Sequence, residues 1–136
     1  MNTVFNIFQK RPAHLGNHNG QLTPCPSTPN CVSSQNPRGV NYISPIYYQG
    51  SLEEAKAHLK KTILSMMGAK ITHESANYIY AEYRTLVMRF IDDVECLIDD
   101  HTKTIHVRSA SRFGYGDMDT NRKRIERIRR RFHDSH

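Results

Sequence analysis

Four β-prone segments in close succession leave this chain few folds to choose from: Lys70 to His73, Tyr78 to Arg84, Leu86 to Ile98 and Thr104 to Ser111. The turns between them, around Glu74 to Asn77 and the acidic Asp99 to Thr102, are too short to carry a parallel crossover, so the segments must run as an antiparallel meander. A helix precedes them. Ser51 with Glu54 three residues on forms a capping-box pattern, and Leu52, Ala55, Leu59, Ile63 and Met66 recur on one helical face until Gly68 ends it. A second helix follows, from about Thr120 to Phe132, with Ile125, Ile128 and Phe132 on one face and arginines over the rest. Upstream, Val40 to Tyr48 is β-rich but interrupted by Pro45, which predicts a short edge strand.

The order is thus β-α-β-β-β-β-α. It predicts an α+β domain with a curved antiparallel sheet of four to five strands and both helices on one face. A length of 136 residues suits a single domain with one modest core. Residues 1–39 are rich in Pro, Asn, Gly and Ser without periodicity and read as an irregular arm. Its Val4, Phe5, Ile7, Phe8 and Leu15 are positioned to pin it onto the domain at 40–136.

Strand alternation assigns the faces. Met88, Phe90, Val94, Cys96, Ile98, Ile105 and Val107 point toward the helices. Arg89, Asp93, Glu95, His106, Arg108 and Arg112 point away, so the outward face interleaves arginines with carboxylates. Asp92 falls among the inward apolar positions, which predicts a bulge there. The register of Tyr78, Tyr80 and Tyr83 stays open.

The net charge is +6, and Arg122 to Arg131 alone carries seven Lys or Arg against Glu126. That excess invites an anionic partner, either a small molecule or a protein, with nonspecific nucleic-acid binding through the basic helix as a further option. There is no aromatic pattern of the kind used by sheet-based RNA readers, and the helix's apolar stripe is too narrow to serve both a core and a bilayer. No transmembrane run or secretory leader is evident, so the expectation is a soluble, cytoplasmic chain. Cys25, Cys31 and Cys96 make an odd count without CxxC spacing. This suits reduced cytosolic thiols, with a Cys25–Cys31 disulfide as the alternative in an oxidising compartment.

Two readings compete for the polar residues. In one, Arg89, Arg108, Arg112, Asp117, Asn121 and Arg122 form a polar-ligand site near the start of the last helix. There Gly114, Gly116 and the free helix amides cradle an anion. In the other, Arg89, Arg108 and Arg112 pair internally with Asp92, Asp93 and Glu95, and Asp117 or Asp119 caps the helix. Cys31, beside Asn30, Ser33 and Ser34, is a candidate nucleophile if a histidine such as His106 lies near it. The structural alternative is a small buried thiol in a tight turn. Adjacent Asp92 and Asp93 point to opposite faces, and no ligand spacing suits zinc, so no metal and no cofactor are expected. These residues suggest a binding or interaction module. A small hydrolase or transferase using Cys31 or an Arg/Asp-lined pocket is the alternative.

PCPSTPNCVSSQ (Pro24 to Gln35), RFIDDVECLI (Arg89 to Ile98) and RSASRFGYGDMDTNRKRIERIR (Arg108 to Arg129) occur in that order, and together they resemble the bacterial and plastid family called domain of unknown function 1499. The resemblance covers nearly the whole chain and implies a small soluble domain with no assigned activity. One departure is MDTNR at Met118 to Arg122, where relatives typically have a small or glycine-containing turn before the Asn-Arg pair.

Overall fold

The computed structural model describes residues 10–85, 89–112 and 118–134. Its elements are β1 (Cys31–Ser33), β2 (Ile46–Tyr47), α1 (Leu52–Leu64), β3 (Ala69–Ser75), β4 (Tyr78–Arg84), β5 (Ile91–Asp99), β6 (Thr104–Ser111) and α2 (Met118–Asp134). Strands β3 to β6 form the expected meander, and β1 and β2 share the free edge of β6 to complete a six-stranded antiparallel sheet. The fold is α+β. Both helices pack on one sheet face, where Leu59 and Ile63 of α1 and Ile125, Ile128 and Phe132 of α2 meet Ile79, Val94, Cys96, Ile98, Ile105 and Val107.

Local chemistry explains α1. One of its N-terminal amides is satisfied by Ser51, whose Oγ accepts from the Glu54 N–H at 3.0 Å, and Ala55, Leu59, Ile63 and Met66 of its apolar stripe are buried as the spacing predicts. Gly68 then turns the chain at φ +85° beside the end of β4, where its carbonyl accepts from the Arg84 N–H. A Cβ at Gly68 would lie 2.3 Å from the Arg84 carbonyl oxygen, so backbone would have to move. Gly68→Ala is expected to cost more than about 1–2 kcal/mol, because a left-handed alanine is itself strained by that amount before any clash. Chemical denaturation checks this, and an unchanged midpoint would refute the close approach.

Several boundaries differ from expectation. The Val40 to Tyr48 segment contributes only Ile46–Tyr47, since Pro45 cannot donate to a ladder. The remaining edge of β6 is taken by Cys31–Ser33, from the stretch read as irregular. The strand expected from Leu86 begins at Ile91. Thr85 and Phe90 close a turn with backbone bonds, and Arg89 sits in it at φ 57° rather than on a strand; residues 86–88 lie outside the described residues. No bulge occurs at Asp92, for β5 runs in unbroken register with β4 and β6 through Asp92 and Asp93. The register shift lies instead in β3, between Ile71 and His73. The last helix begins at Met118, so MDTNR forms its first turn.

The opposite sheet face is not solvated. Leu15 and Leu22, from the stretch ahead of β1, pack there on Tyr78, Tyr80 and Leu97. Val4, Phe5, Ile7 and Phe8 lie outside the described residues.

Candidate functional site

On the arm-covered face, β4 presents Tyr78, Tyr80 and Glu82, while Tyr83 turns into the helix core. The cross-strand partner of Glu82 is Asp93, so two carboxylates stand directly opposite, an arrangement that destabilises unless a cation joins them. Arg112 is that cation. Its Nη2 donates to Glu82 at 2.7 Å and to Asp93 at 2.9 Å, and its Nε donates to Asp93 Oδ2 at 3.0 Å. The Tyr80 hydroxyl donates to Asp93 and accepts from Arg112, and Arg11 of the arm reaches Glu82 at 2.8 Å. Burial alone would push the Glu82 carboxyl up, but hydrogen bonds from Arg11, Tyr80 and Arg112 outweigh it and hold it below the ordinary carboxylate range.

Deeper on the same face lies Glu95, fully buried. Its Oε2 accepts from the Tyr78 hydroxyl at 2.5 Å and from the Gly16 N–H at 2.7 Å. Its Oε1 is 3.9 Å from Arg108 Nη1, and both Oε1 and the Arg108 Nε lack hydrogen-bond partners among the described residues. Burial lowers the affinity of Arg108 for its proton, while Glu95 and Asp93 oppose that shift. Charge compensation here is therefore real but geometrically loose.

The remaining sequence-predicted residues go elsewhere. Asn121 is completely buried on the helix side. Its Oδ1 accepts from the Ser109 hydroxyl at 2.7 Å, and its Nδ2 donates to Ser111 Oγ and to the Asn30 carbonyl. It ties α2 to β6 and to the loop before β1. Asp92 also faces the helices and pairs with Arg124 at 2.5 Å, whose guanidinium lies over the Tyr83 ring. That pairing, rather than a bulge, resolves the carboxylate among inward apolar positions. Arg122 reaches the Val40 carbonyl and does not join Arg108 and Arg112. Arg89 belongs to the turn before β5, and Asp117, Gly114 and Gly116 lie outside the described residues.

Cys31 is not a free thiol. It forms a disulfide with Cys25, with an S–S distance of 2.10 Å, so it cannot act as a thiolate nucleophile in this state. His106 faces Ser34 Oγ at 3.2 Å instead, and that oxygen accepts from the Val107 N–H, which fixes the end of β1 against β6. Burial holds the His106 imidazole below its ordinary pKa and hence neutral at pH 7. Cys96 is the free cysteine, buried in the core with its thiol pushed up to about 12 by burial and by Glu95. Among the described residues, no three His, Cys, Asp or Glu side chains come together as metal ligands. The disulfide closes a loop over a sequence separation of six residues, and its reduction should cost about 2 kcal/mol on the chain-entropy account. Denaturation with and without dithiothreitol measures this; superimposable curves would overturn it.

Three separated sequence segments thus meet across the two faces of the sheet: Asn30 with β1, Asp92 and Asp93 on β5, and Ser109, Ser111 and Arg112 at the end of β6 with Asn121 and Arg124 on α2. They are the segments on which the resemblance rested. Residues 21–132 match the family model described as Protein of unknown function (DUF1499). The chain belongs to the DUF1499 family. No curated protein matches it.

Cations from the ends of α1 and β4 and from α2 form the other polar feature of this DUF1499 domain. Arg84, Arg127 and Arg131 line a cleft of about 230 Å³ with Met66 and Met67, and Arg130, Arg131 and Lys61 line an adjoining one of about 470 Å³. The side chains of Arg84, Arg127, Arg130 and Lys61 make no hydrogen bond or ion pair with described residues. Arg84 could be grouped with the helix arginines only once the strands were placed, because it comes from β4. A larger cleft of about 850 Å³ lies between β2 and the helices, lined by Tyr47, Glu54, His58 and His133, but it gathers no comparable set of cations. His58 there is engaged with the Phe132 carbonyl at 2.6 Å.

Proposed function

We propose that this DUF1499 domain is a non-catalytic binding module for an anionic partner, which it takes on the cations of α2 and the end of α1. One contrast carries this reading. Arg108 and Arg112 are committed to Glu95, Asp93 and Glu82 beneath the arm, whereas Arg84, Arg127, Arg130 and Lys61 form no ion pair with any of the described residues. Paired guanidiniums are poor receptors because an incoming anion must displace a carboxylate; unpaired ones need displace only water and counterions. The enzyme alternative loses support from the Cys25–Cys31 bond, since its nucleophile would have to be released by reduction. The same bond favours a compartment that keeps thiols oxidised over the reducing cytoplasm expected from the cysteine count.

Inorganic pyrophosphate is a suitable probe. Thermal unfolding of wild type should shift upward with millimolar pyrophosphate, and the double variant Arg127→Ala, Arg130→Ala should lose that shift at unchanged intrinsic stability. Equal shifts in both proteins would defeat the assignment. A shift retained by the double variant but abolished in Arg112→Ala would move the site to the sheet face.

A further inference from the structure

The cations at this end of the molecule do not stand alone. Met67, in the turn after α1, is 80% exposed, and Leu64, in the last turn of α1, is 56% exposed. Met67 lines the same cleft as Arg84, Arg127 and Arg131. Leu64 follows Lys60 and Lys61 by four and three residues, so it shares their side of α1. Arg131 belongs to both clefts and donates to the carbonyl and hydroxyl of Ser65 at 3.1 Å, which locks the end of α2 against the end of α1. The result is one continuous surface with two exposed apolar side chains among five cations. Asp134, at its margin, is the acid lining these clefts.

From this arrangement we infer that the partner is an anionic bilayer surface, touched by Leu64 and Met67 at the headgroup boundary while Lys61, Arg84, Arg127, Arg130 and Arg131 lie at the level of the lipid phosphates. The inference rests on the proposed basic surface and adds what that surface faces. Long basic side chains and protruding apolar ones in one patch suit an interface whose outer layer is charged and whose next layer is hydrocarbon. A duplex or single strand offers the phosphates but gains nothing from burying Met67, and the aromatic ring in this cleft, Tyr83, is buried in the core where no base can stack on it. A single soluble phosphate would be saturated by two guanidiniums, whereas these five cations spread across two clefts. The objection that the apolar stripe of α2 is too narrow for both a core and a bilayer does not apply. Ile125, Ile128 and Phe132 are all spent on the core, and the apolar contact comes from the end of α1. No helix among the described residues is long and apolar enough to cross a membrane, so the contact is peripheral.

Co-sedimentation with vesicles tests this. The protein should bind vesicles of phosphatidylcholine mixed with phosphatidylglycerol and not those of phosphatidylcholine alone, with binding that weakens as salt rises. Arg127→Ala and Arg130→Ala should each reduce partitioning about fivefold, the effect of one basic residue near an anionic surface. Met67→Ser, which changes no charge and sits on the surface, should also reduce partitioning with the unfolding temperature unchanged. Loss of binding in the arginine variants with full binding in Met67→Ser would overturn the bilayer contact. So would a pyrophosphate response without vesicle binding; both results would leave the anionic surface standing. Absence of both responses would remove that reading as well. Binding to duplex DNA as tight as to the anionic vesicles, and equally insensitive to Met67→Ser, would assign the surface to nucleic acid.

Discussion

Arg112→Ala is expected to destabilise the domain by about 3–5 kcal/mol, with the loss unaffected by phosphate or sulfate. The size follows from what the guanidinium holds. It lies just past β6, is itself nearly buried, and joins Glu82 of β4 to Asp93 of β5, two carboxylates that the strand register places directly opposite each other. Removing it leaves Asp93, 2% exposed, with the Tyr80 hydroxyl as its side-chain partner among the described residues, while Glu82 keeps Arg11. Acid should expose the same dependence. Because the folded Glu82 carboxyl titrates below its ordinary value, its contribution is present above the ordinary carboxylate range and is lost as pH falls through the folded value. Without Arg112 that folded value rises, so the acid limb of the stability curve should move to higher pH. A near-neutral variant whose stability no longer responds to added anion would instead identify Arg112 as a ligand residue. Replacing Arg112 by Met together with Asp93 by Leu should cost less than the single change, because no uncompensated charge stays behind.

The contrast between what the sequence disclosed and what it concealed has a physical basis. Helix α1 was legible because its determinants are local: a serine cap, one apolar stripe and a terminating glycine within less than twenty residues. Alternation along β5 placed Val94, Cys96 and Ile98 inward and Asp93 and Glu95 outward for the same reason. Strand β1 was not legible. Three residues in a Pro- and Asn-rich stretch acquire strand geometry only by pairing with β6, far along the chain at Cys31↔Ala110, and through the bond to Cys25. Asp92 shows the limit most clearly. Periodicity marked it as a misfit and local reasoning answered with a bulge, whereas the structure keeps the register and brings Arg124 from α2 to meet the carboxylate. Likewise, whether an arginine is spent or available cannot be read from its spacing. Arg112 and Arg127 look alike in the sequence and differ only in which strands and helix ends surround them.

Ile128→Ala should cost about 2–5 kcal/mol, because the side chain is fully buried and helix α2 has few other apolar anchors. Ile125, Ile128 and Phe132 are the apolar residues of α2 in the core, and they meet both the sheet and Leu59 and Ile63 of α1. After Met118 the other residues of α2 are polar or charged, so little else can take over the burial when one anchor is shortened. Ile128→Val removes a single methylene and should cost about 0.5–1.5 kcal/mol, which separates a graded packing effect from general sensitivity at the position. Urea denaturation gives both values, and an unchanged slope would show that the same surface is exposed on unfolding in each variant. An Ile128→Ala protein as stable as wild type would mean that α2 is not docked as described. The consequence would extend beyond packing, since Arg127, Arg130 and Arg131 reach the end of α1 only while this stripe holds the helix against the sheet.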